Sequence, residues 1–337
     1  MPAPQLSEIE QKLLSEFRNG SDIEWFRKKD HYKYIEYSQI NKLNLDKEFK
    51  MFFKSELIRV ADPAELVADS MTLPELKQAC AHYGLKISGK KIDLAHNLVQ
   101  AEPNYGIFLK DNKSLYFPTD HGYEIIDAYL HKQELAKEKK RNAVYKLLDQ
   151  IRRGSGALNG PLVDRDFFIP DGNNDGVHIY IIRSDLLFLR ILYYGFPSFL
   201  SGLAPDYVDI VRQTLGADRL LGTNEIRKYE KFESNIPGLN LGNAMIAMMS
   251  FCSSQRDLIE YRNLEYYNAI EITSGNEHIL CPACKSLLHQ HFPINGIIPE
   301  IPNPNCINRS RPCDLSYFPL IINNGKPKKK GLFGLFG

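Results

Sequence analysis

At 337 residues, 43% hydrophobic and 25% charged, the chain has the make-up of a globular protein with room for two or three domains and more than one buried core. Its 42 Lys and Arg stand against 41 Asp and Glu, a net charge of +1, which excludes a protein that coats nucleic acid along its whole length. Any contact with nucleic acid has to come from a local patch.

The N-terminal MPAPQLSEIEQ has neither a basic start nor an apolar run, so no secretory signal is expected. QLSEIEQKLLSEFR, residues 5 to 18, then places Leu6, Ile9, Leu13 and Phe17 on one helical face. Residues 20 to 60 are charged and aromatic, and DIEWFRKKDHYKYIEY holds Trp25, the one tryptophan of the chain. Because aromatic side chains bury, this stretch is expected to be a helical lid packed on a neighbouring domain. Residues 1–67 are read together as an N-terminal helical region.

TLPELKQACAHYGLKISGKKIDLAHNLVQ, residues 72 to 100, carries the most specific signal. Thr72 and Glu75 stand three apart with Pro74 in the first turn, the signature of a capping box. Leu73, Leu76, Cys80 and Tyr83 follow on one face, and Gly84 is suited to the left-handed stop of that helix. Leu85 and Ile87 are expected to alternate inward. Ser88 is expected to cap a second helix, whose Ile92, Leu94, Ala95 and Leu98 complete a small core. Lys90 and Lys91 then project beside the free N–H groups of that helix, a ready place for phosphate.

These residues resemble a SAP domain, the helix–loop–helix DNA-binding module. The likeness lies in Thr72-Leu73, Glu75-Leu76-Lys77, Gly84-Leu85, Ser88-Gly89-Lys90-Lys91, Asp93-Leu94 and Leu98, over residues 68–101. It implies DNA binding, often at AT-rich or unusual duplexes, with Lys77, Ser88, Gly89, Lys90 and Lys91 as the DNA-binding residues. Where the family often has a basic residue before the last leucine, this chain has Asn97.

YGIFLKDNKSLYFPT, residues 105 to 119, has two apolar runs around a polar centre and predicts a small hairpin. A helix capped by Thr119 should follow and run to Arg153, closing a segment 102–153. Val144, Leu147, Leu148 and Ile151 form its apolar stripe. Lys137, Lys139, Lys140, Arg141, Lys146, Arg152 and Arg153 crowd the rest, either a solvated face or a strip that tracks a nucleic-acid backbone. RRGSGALNGP, residues 152 to 161, reads as a linker.

Residues 154–275 predict a central, mainly helical domain. VHIYIIR, residues 177 to 183, reads as a strand, and 184 to 200, 203 to 230 and 241 to 268 read as helices. The most apolar run, Leu186 to Leu200, contains Arg190, Gly195 and Pro197 and is too short to span a bilayer. DGNNDG, residues 171 to 176, sets out Asp171, Asn173, Asp175 and Gly176 like half a calcium loop. Its twelfth position is Ile182, so a turn is the better reading. Asp164, Asp166 and His178 are the residues from which a nuclease-like acid cluster could be built.

Residues 276–322 predict a cysteine-rich, zinc-ribbon-like module. Cys281 and Cys284 form the C-x₂-C knuckle that brings two thiolates to one Zn²⁺. Cys306 and Cys313 complete the expected set, with His289 and His291 as alternates. AIEITSGNEHILCPACKSLLHQHFPINGIIPEIPNPNC also resembles the C-terminal cysteine module of phage Mu-type head-morphogenesis proteins. That family typically ends in Cys-Arg-Cys, whereas Cys313 lies further on here. The tail 323–337, NNGKPKKKGLFGLFG, is read as a flexible basic end.

No P-loop, G-x-G-x-x-G, H-E-x-x-H or G-x-S-x-G occurs. The expectation is a mainly α, multi-domain, cytoplasmic protein of bacterial or phage origin, with no membrane span and no catalytic residues. Its partners are DNA and, through the cysteine module and tail, other proteins; its metal is structural Zn²⁺. An assembly protein of the phage type and a nuclease are the alternatives.

Overall fold

The computed structural model describes residues 5–103, 115–171, 175–308, 310–323 and 326–327. Two compact units divide the chain, Met1–Ala136 and Lys137–Gly337.

In the first unit, α1 (Glu8–Ser15) starts at a capping box in which Ser7 and Glu10 satisfy each other's backbone N–H groups. Strand β1 (Ser21–Asp22) leads into α2 (Ile23–Arg27), α3 (Tyr32–Tyr34) and a wider π turn over Ile35–Ile40. After α4 (Leu45–Lys54) comes β2 (Ile58–Val60). Leu13, Leu14, Phe17, Phe26, Tyr37, Phe49 and Phe52 bury into one core. Inside it, Glu16 accepts the Tyr37 hydroxyl at 2.9 Å and the Lys33 ammonium at 2.8 Å, so neither polar head is left without a partner.

The aromatic stretch departs from the expected lid. Phe26 and Tyr37 are buried, but Trp25 is 46% exposed and Tyr32 63% exposed. With Ile23 and Phe26 facing the core, helical geometry turns Trp25 outward.

Three helices follow: α5 (Pro63–Ser70), α6 (Leu73–His82) and α7 (Lys91–Ala101). Their shared core is Ala64, Val67, Leu76, Cys80, Leu94, Ala95 and Leu98. The other side of α5 puts Leu66 against Ala61, Leu115 and Phe117. Those last two lie on or beside β3 (Leu115–Pro118), the middle strand of an antiparallel sheet ordered β1-β3-β2. In register, Ser21 faces Tyr116 and Ile58 faces Pro118. The second arm of the predicted hairpin thus pairs with two earlier strands, and the first arm lies outside the described residues.

Helix α8 (Asp120–Arg152) begins with Thr119 accepting the Gly122 N–H at 3.1 Å, runs without a break, and contains the division between the units. In the second unit its Val144, Leu147, Leu148 and Ile151 are buried, as their spacing predicts. The glycine-rich segment after it is no open linker. Leu158 is buried, and Arg190 donates to the Leu158 carbonyl at 2.6 Å while Arg165 donates to those of Ala157 and Pro161. The glycines supply the turns, and two arginines supply the partners that the loop carbonyls need.

Strands β4 (Arg165–Pro170) and β5 (Gly176–Ile181) form a hairpin, its turn closed by the Asp171 N–H donating to the Asp175 carbonyl. Helices α9 (Arg183–Tyr194), α10 (Pro205–Leu221) and α11 (Leu241–Arg262) are shorter than their apolar patterns suggest. Gly195 and Pro197 stop the first, and a left-handed Gly222 stops the second. Beyond α11 the chain forms β6 (Ala269–Thr273), a short α12 (Pro282–Lys285), β7 (His291–Pro293) and β8 (Ser316–Leu320). These strands make an antiparallel sheet ordered β7-β6-β8. The fold is about half helical with several small sheets. Among the described residues no helix is long and apolar enough to cross a membrane.

Candidate functional site

The first candidate site is built on the α6–α7 turn. The Thr72 hydroxyl and Glu75 carboxylate form the predicted capping box, with the Thr72 N–H and hydroxyl donating to Glu75 at 2.6 and 2.8 Å. Those bonds, and then the nearby Lys91 ammonium, hold the Glu75 carboxyl below its ordinary range. Lys91, in the first turn of α7, therefore acts on the first turn of α6. At the far end of α6 the Leu85 N–H reaches the Cys80 carbonyl at 2.8 Å and the Gly84 N–H reaches Ala81 at 3.1 Å. This is a Schellman stop, and it needs the φ of +66° that Gly84 adopts.

Two sequence expectations fail in the loop. Ile87 is exposed, because residues 85–88 form no strand and have no facing sheet to alternate against. Ser88 is not the cap: α7 starts at Lys91, and Lys90 occupies the N-cap position. Asp93 accepts the Lys90 N–H at 3.2 Å. A lysine side chain carries no acceptor, so the other first-turn N–H groups of α7 receive nothing from the cap residue. Ser88, Gly89, Lys90 and Lys91 form one exposed run at this helix start, and Lys77 is exposed on α6. Among the described residues, Lys77, Lys90 and Lys91 have no ion-pair partner. Lys86, also exposed in the turn, adds a cation that the sequence pattern did not single out.

Helix α5, which begins before residue 68, packs Ala64 and Val67 into the core of this module. α5 opens with its own capping box, Asp62 to Glu65, with Pro63 in the first turn. The signal was present: Asp-Pro-Ala-Glu repeats the logic of Thr-Leu-Pro-Glu ten residues later.

Part of the basic face of α8 is paired with acids. Lys139 pairs with Asp171 at 3.7 Å, Arg152 with Asp149 and Asp209 at 3.0 Å, and Arg153 with Asp149 at 2.7 Å. Arg141 lies over the Tyr145 ring. At Lys139, Arg152 and Arg153 this is the pattern of a solvated helix face laced with acids.

The second candidate site is a metal centre. Cys281 is the N-cap residue of α12 and accepts the Cys284 and Lys285 N–H groups at its carbonyl, at 3.1 and 2.8 Å, which makes the knuckle. Asn303 binds the two loops together by donating to the Ala283 carbonyl at 3.0 Å. Its own carbonyl accepts the Cys306 N–H at 3.0 Å. The sulfurs of Cys281, Cys284, Cys306 and Cys313 all lie within 4.8 Å of one another, and all four residues are buried. None is in a disulfide. The Cys281–Cys306 sulfurs are 3.9 Å apart, close to the ~3.8 Å edge of a tetrahedron with Zn–S bonds of about 2.3 Å. The six-residue gap before Cys313 is thus no obstacle. Asn308, within that gap, donates to the Cys313 sulfur at 3.3 Å, as does the Cys281 N–H.

Burial opposes ionisation at Cys281, but N–H groups of Ile307 and Cys284 and the neighbouring thiols outweigh it and bring that thiol down to about 7. Burial, followed by the adjoining sulfurs, pushes Cys284 up, and burial also pushes Cys313 up. Four sulfurs this close could hold one metal ion between them.

The alternates are placed elsewhere. The His289 ring nitrogens lie 2.8 Å from Glu271 and 3.2 Å from Glu277, and His291 lies 3.9 Å from Glu271. His289 is exposed, and its carboxylate neighbours, Glu271 first, raise its pKa. Neither histidine joins the sulfur cluster.

Of Asp164, Asp166 and His178 on the β4–β5 hairpin, only the last two meet, and each of the three has a structural partner. Asp166 meets His178 at 2.8 Å. Asp164 accepts the Tyr180 hydroxyl and the Arg183 N–H, both at 2.7 Å, and so caps α9 from outside. Of the calcium-like residues, Asn173 lies outside the described residues, and Asp171 and Asp175 serve the hairpin turn.

Comparison with known proteins finds a SAP domain at residues 68–101. No curated protein matches the chain. No solved structure matches it either. The resemblance of the cysteine segment to phage Mu-type head-morphogenesis proteins has no family match behind it.

Proposed function

We propose that this chain is a DNA-binding protein that grips the phosphate backbone at the start of α7. The SAP domain at residues 68–101 supports nucleic-acid binding. The observation that carries the finer reading is Lys90 at an N-cap without an acceptor, beside Lys91, with no ion pair on either among the described residues. A phosphate oxygen there would accept from the open N–H groups and neutralise two cations. Ser88, Gly89 and Lys77 border the contact. Lys90→Glu with Lys91→Glu should abolish duplex binding at low salt with the helical content intact. Binding that persists in this variant sinks the reading. With so few phosphates contacted, affinity should be modest, and its logarithm should fall with log salt by only about 0.9 per phosphate neutralised.

Cys281, Cys284, Cys306 and Cys313 are proposed to hold one structural Zn²⁺. Four soft thiolates at tetrahedral spacing suit zinc, and they leave no open position for catalysis. Purified protein should carry about one zinc per chain, lost on Cys281→Ser, as the one-site geometry requires. Metal-free protein that keeps a folded second unit would count against it. The six free thiols fit a reducing, cytoplasmic setting.

A second reading assigns the cysteine module to protein contacts, as in an assembly protein. Ile297, 95% exposed, and Ile307, 69% exposed, favour it, since branched aliphatics in water near a rigid centre suit a partner surface. Capture of a partner that survives nuclease treatment and needs residues 276–337 would establish it.

A further inference from the structure

Three rings at the turn between α2 and α3, those of Trp25, His31 and Tyr32, form an ordered group. The Asp22 side chain accepts the Glu24 N–H at 2.9 Å and starts α2, whose buried Ile23 and Phe26 anchor it. The turn that follows closes with the His31 N–H donating to the Lys28 carbonyl at 2.9 Å. This brings the His31 ring against Trp25, with centroids 6.2 Å apart and planes 25° apart. The Tyr32 ring lies 4.7 Å from His31 on the next step. The Lys33 N–H donates to His31 Nδ1 at 3.3 Å and sets the orientation of that ring. Packing does not explain the group: the neighbouring Phe17, Phe26 and Phe49 stack inside the core, while Trp25 and Tyr32 remain in water.

The charges beside the rings divide into used and available. Arg27 is held by Glu24 and Asp46, and Lys33 by Glu16. Lys28 and Lys29 are exposed, with no ion-pair partner among the described residues; Asp30 is the one carboxylate in the turn. Flat rings with exposed lysines in the same turn fit a chain of alternating π faces and phosphates. A duplex hides its base faces, whereas an unpaired strand presents them.

We propose that Trp25, His31 and Tyr32, with Lys28 and Lys29, form a stacking shelf for single-stranded nucleic acid. The proposal extends the DNA-binding reading but uses none of the residues of the α7 contact.

Trp25 is the single tryptophan of the chain, so its emission reports this shelf alone. The full chain is titrated with a short oligothymidine, an oligouridine and a duplex of equal length. Oligothymidine should quench the emission to saturation. Tyr32→Ala should weaken that binding by about tenfold, the worth of one base stack. Lys28→Glu with Lys29→Glu should weaken it and lower the salt slope by about one to one and a half. Both sites are exposed, and far-UV circular dichroism checks that the variants fold. Lys90→Glu with Lys91→Glu should leave the quench in place. A matching response to oligouridine extends the shelf to RNA; a weaker one restricts it to DNA.

Unchanged emission with oligothymidine overturns the proposal, as does a quench that both variants leave intact. An oligoglutamate that quenches as well as the oligonucleotide also overturns it, since charge alone would then suffice. If duplex binding persists while the quench fails, the α7 contact stands and the shelf falls. If the quench appears without duplex binding, the outcome is reversed.

Discussion

Lys90 sits where helices usually place Ser, Thr, Asp or Asn, and the choice has a testable cost. Lys90→Ser would supply the missing acceptor and should stabilise the module by about 1 kcal/mol. The same change fills the N–H groups proposed for phosphate and removes a cation, so duplex affinity should fall while the melting temperature rises. Thermal unfolding and a salt-resolved DNA titration on one variant measure both; a gain in both would separate the lysine from binding. Residue-level reading of the sequence succeeded where one side chain decides the outcome. The Thr72–Glu75 box, the left-handed Gly84 and the four cysteines were all legible. It failed at Ser88, because Gly89 carries the chain through a φ of +136° and delays the helix by two residues. It failed at Trp25 because a general tendency of aromatics to bury says nothing about a ring one step off the buried face of a five-residue helix.

At the scale of elements, α6 depends on a carboxylate. Glu75 is held below its ordinary 4.5 by the Thr72 donors and then by Lys91. A depressed carboxyl stabilises the fold fully above its unfolded pKa and ceases to do so as pH falls through the folded value. Helical content of the SAP module should therefore decline on acidification below that ordinary value. Glu75→Gln, which keeps the reach but does not titrate, should flatten this dependence in circular dichroism; an unaltered profile would place the acid sensitivity elsewhere. Several elements were invisible in the sequence for identifiable reasons. β4 carries no clear alternation because Phe167 and Phe168 blur it, and the segment 152–161 reads as open because the arginines that hold its carbonyls, Arg165 and Arg190, lie outside it. α10 and α11 end before their apolar patterns do, because the pattern continues past residues that stop the backbone.

For the whole molecule, the cysteine centre is a staple in a large core. Its four residues belong to the same cluster as Leu186, Met245, Met248 and Ile270 of the second unit. A structural zinc site contributes an apparent 10–16 kcal/mol, about as much as the entire net stability of a typical domain, 5–15 kcal/mol. Chelation should therefore unfold the second unit, seen as loss of near-ultraviolet dichroism from its tyrosines, while duplex binding by residues 68–101 continues. Loss of duplex binding on chelation would show that the metal governs the DNA contact as well. The first unit holds a different consequence, in the two faces of α5. One face completes the core beneath Lys90 and Lys91, and the other sends Leu66 into the sheet through Leu115. A binding module hung on a string samples every bearing and tells its neighbours nothing about direction. Here the shared helix acts as a keyed joint, so a duplex seated on those lysines would take one compass heading relative to the sheet and turn only when the sheet turns.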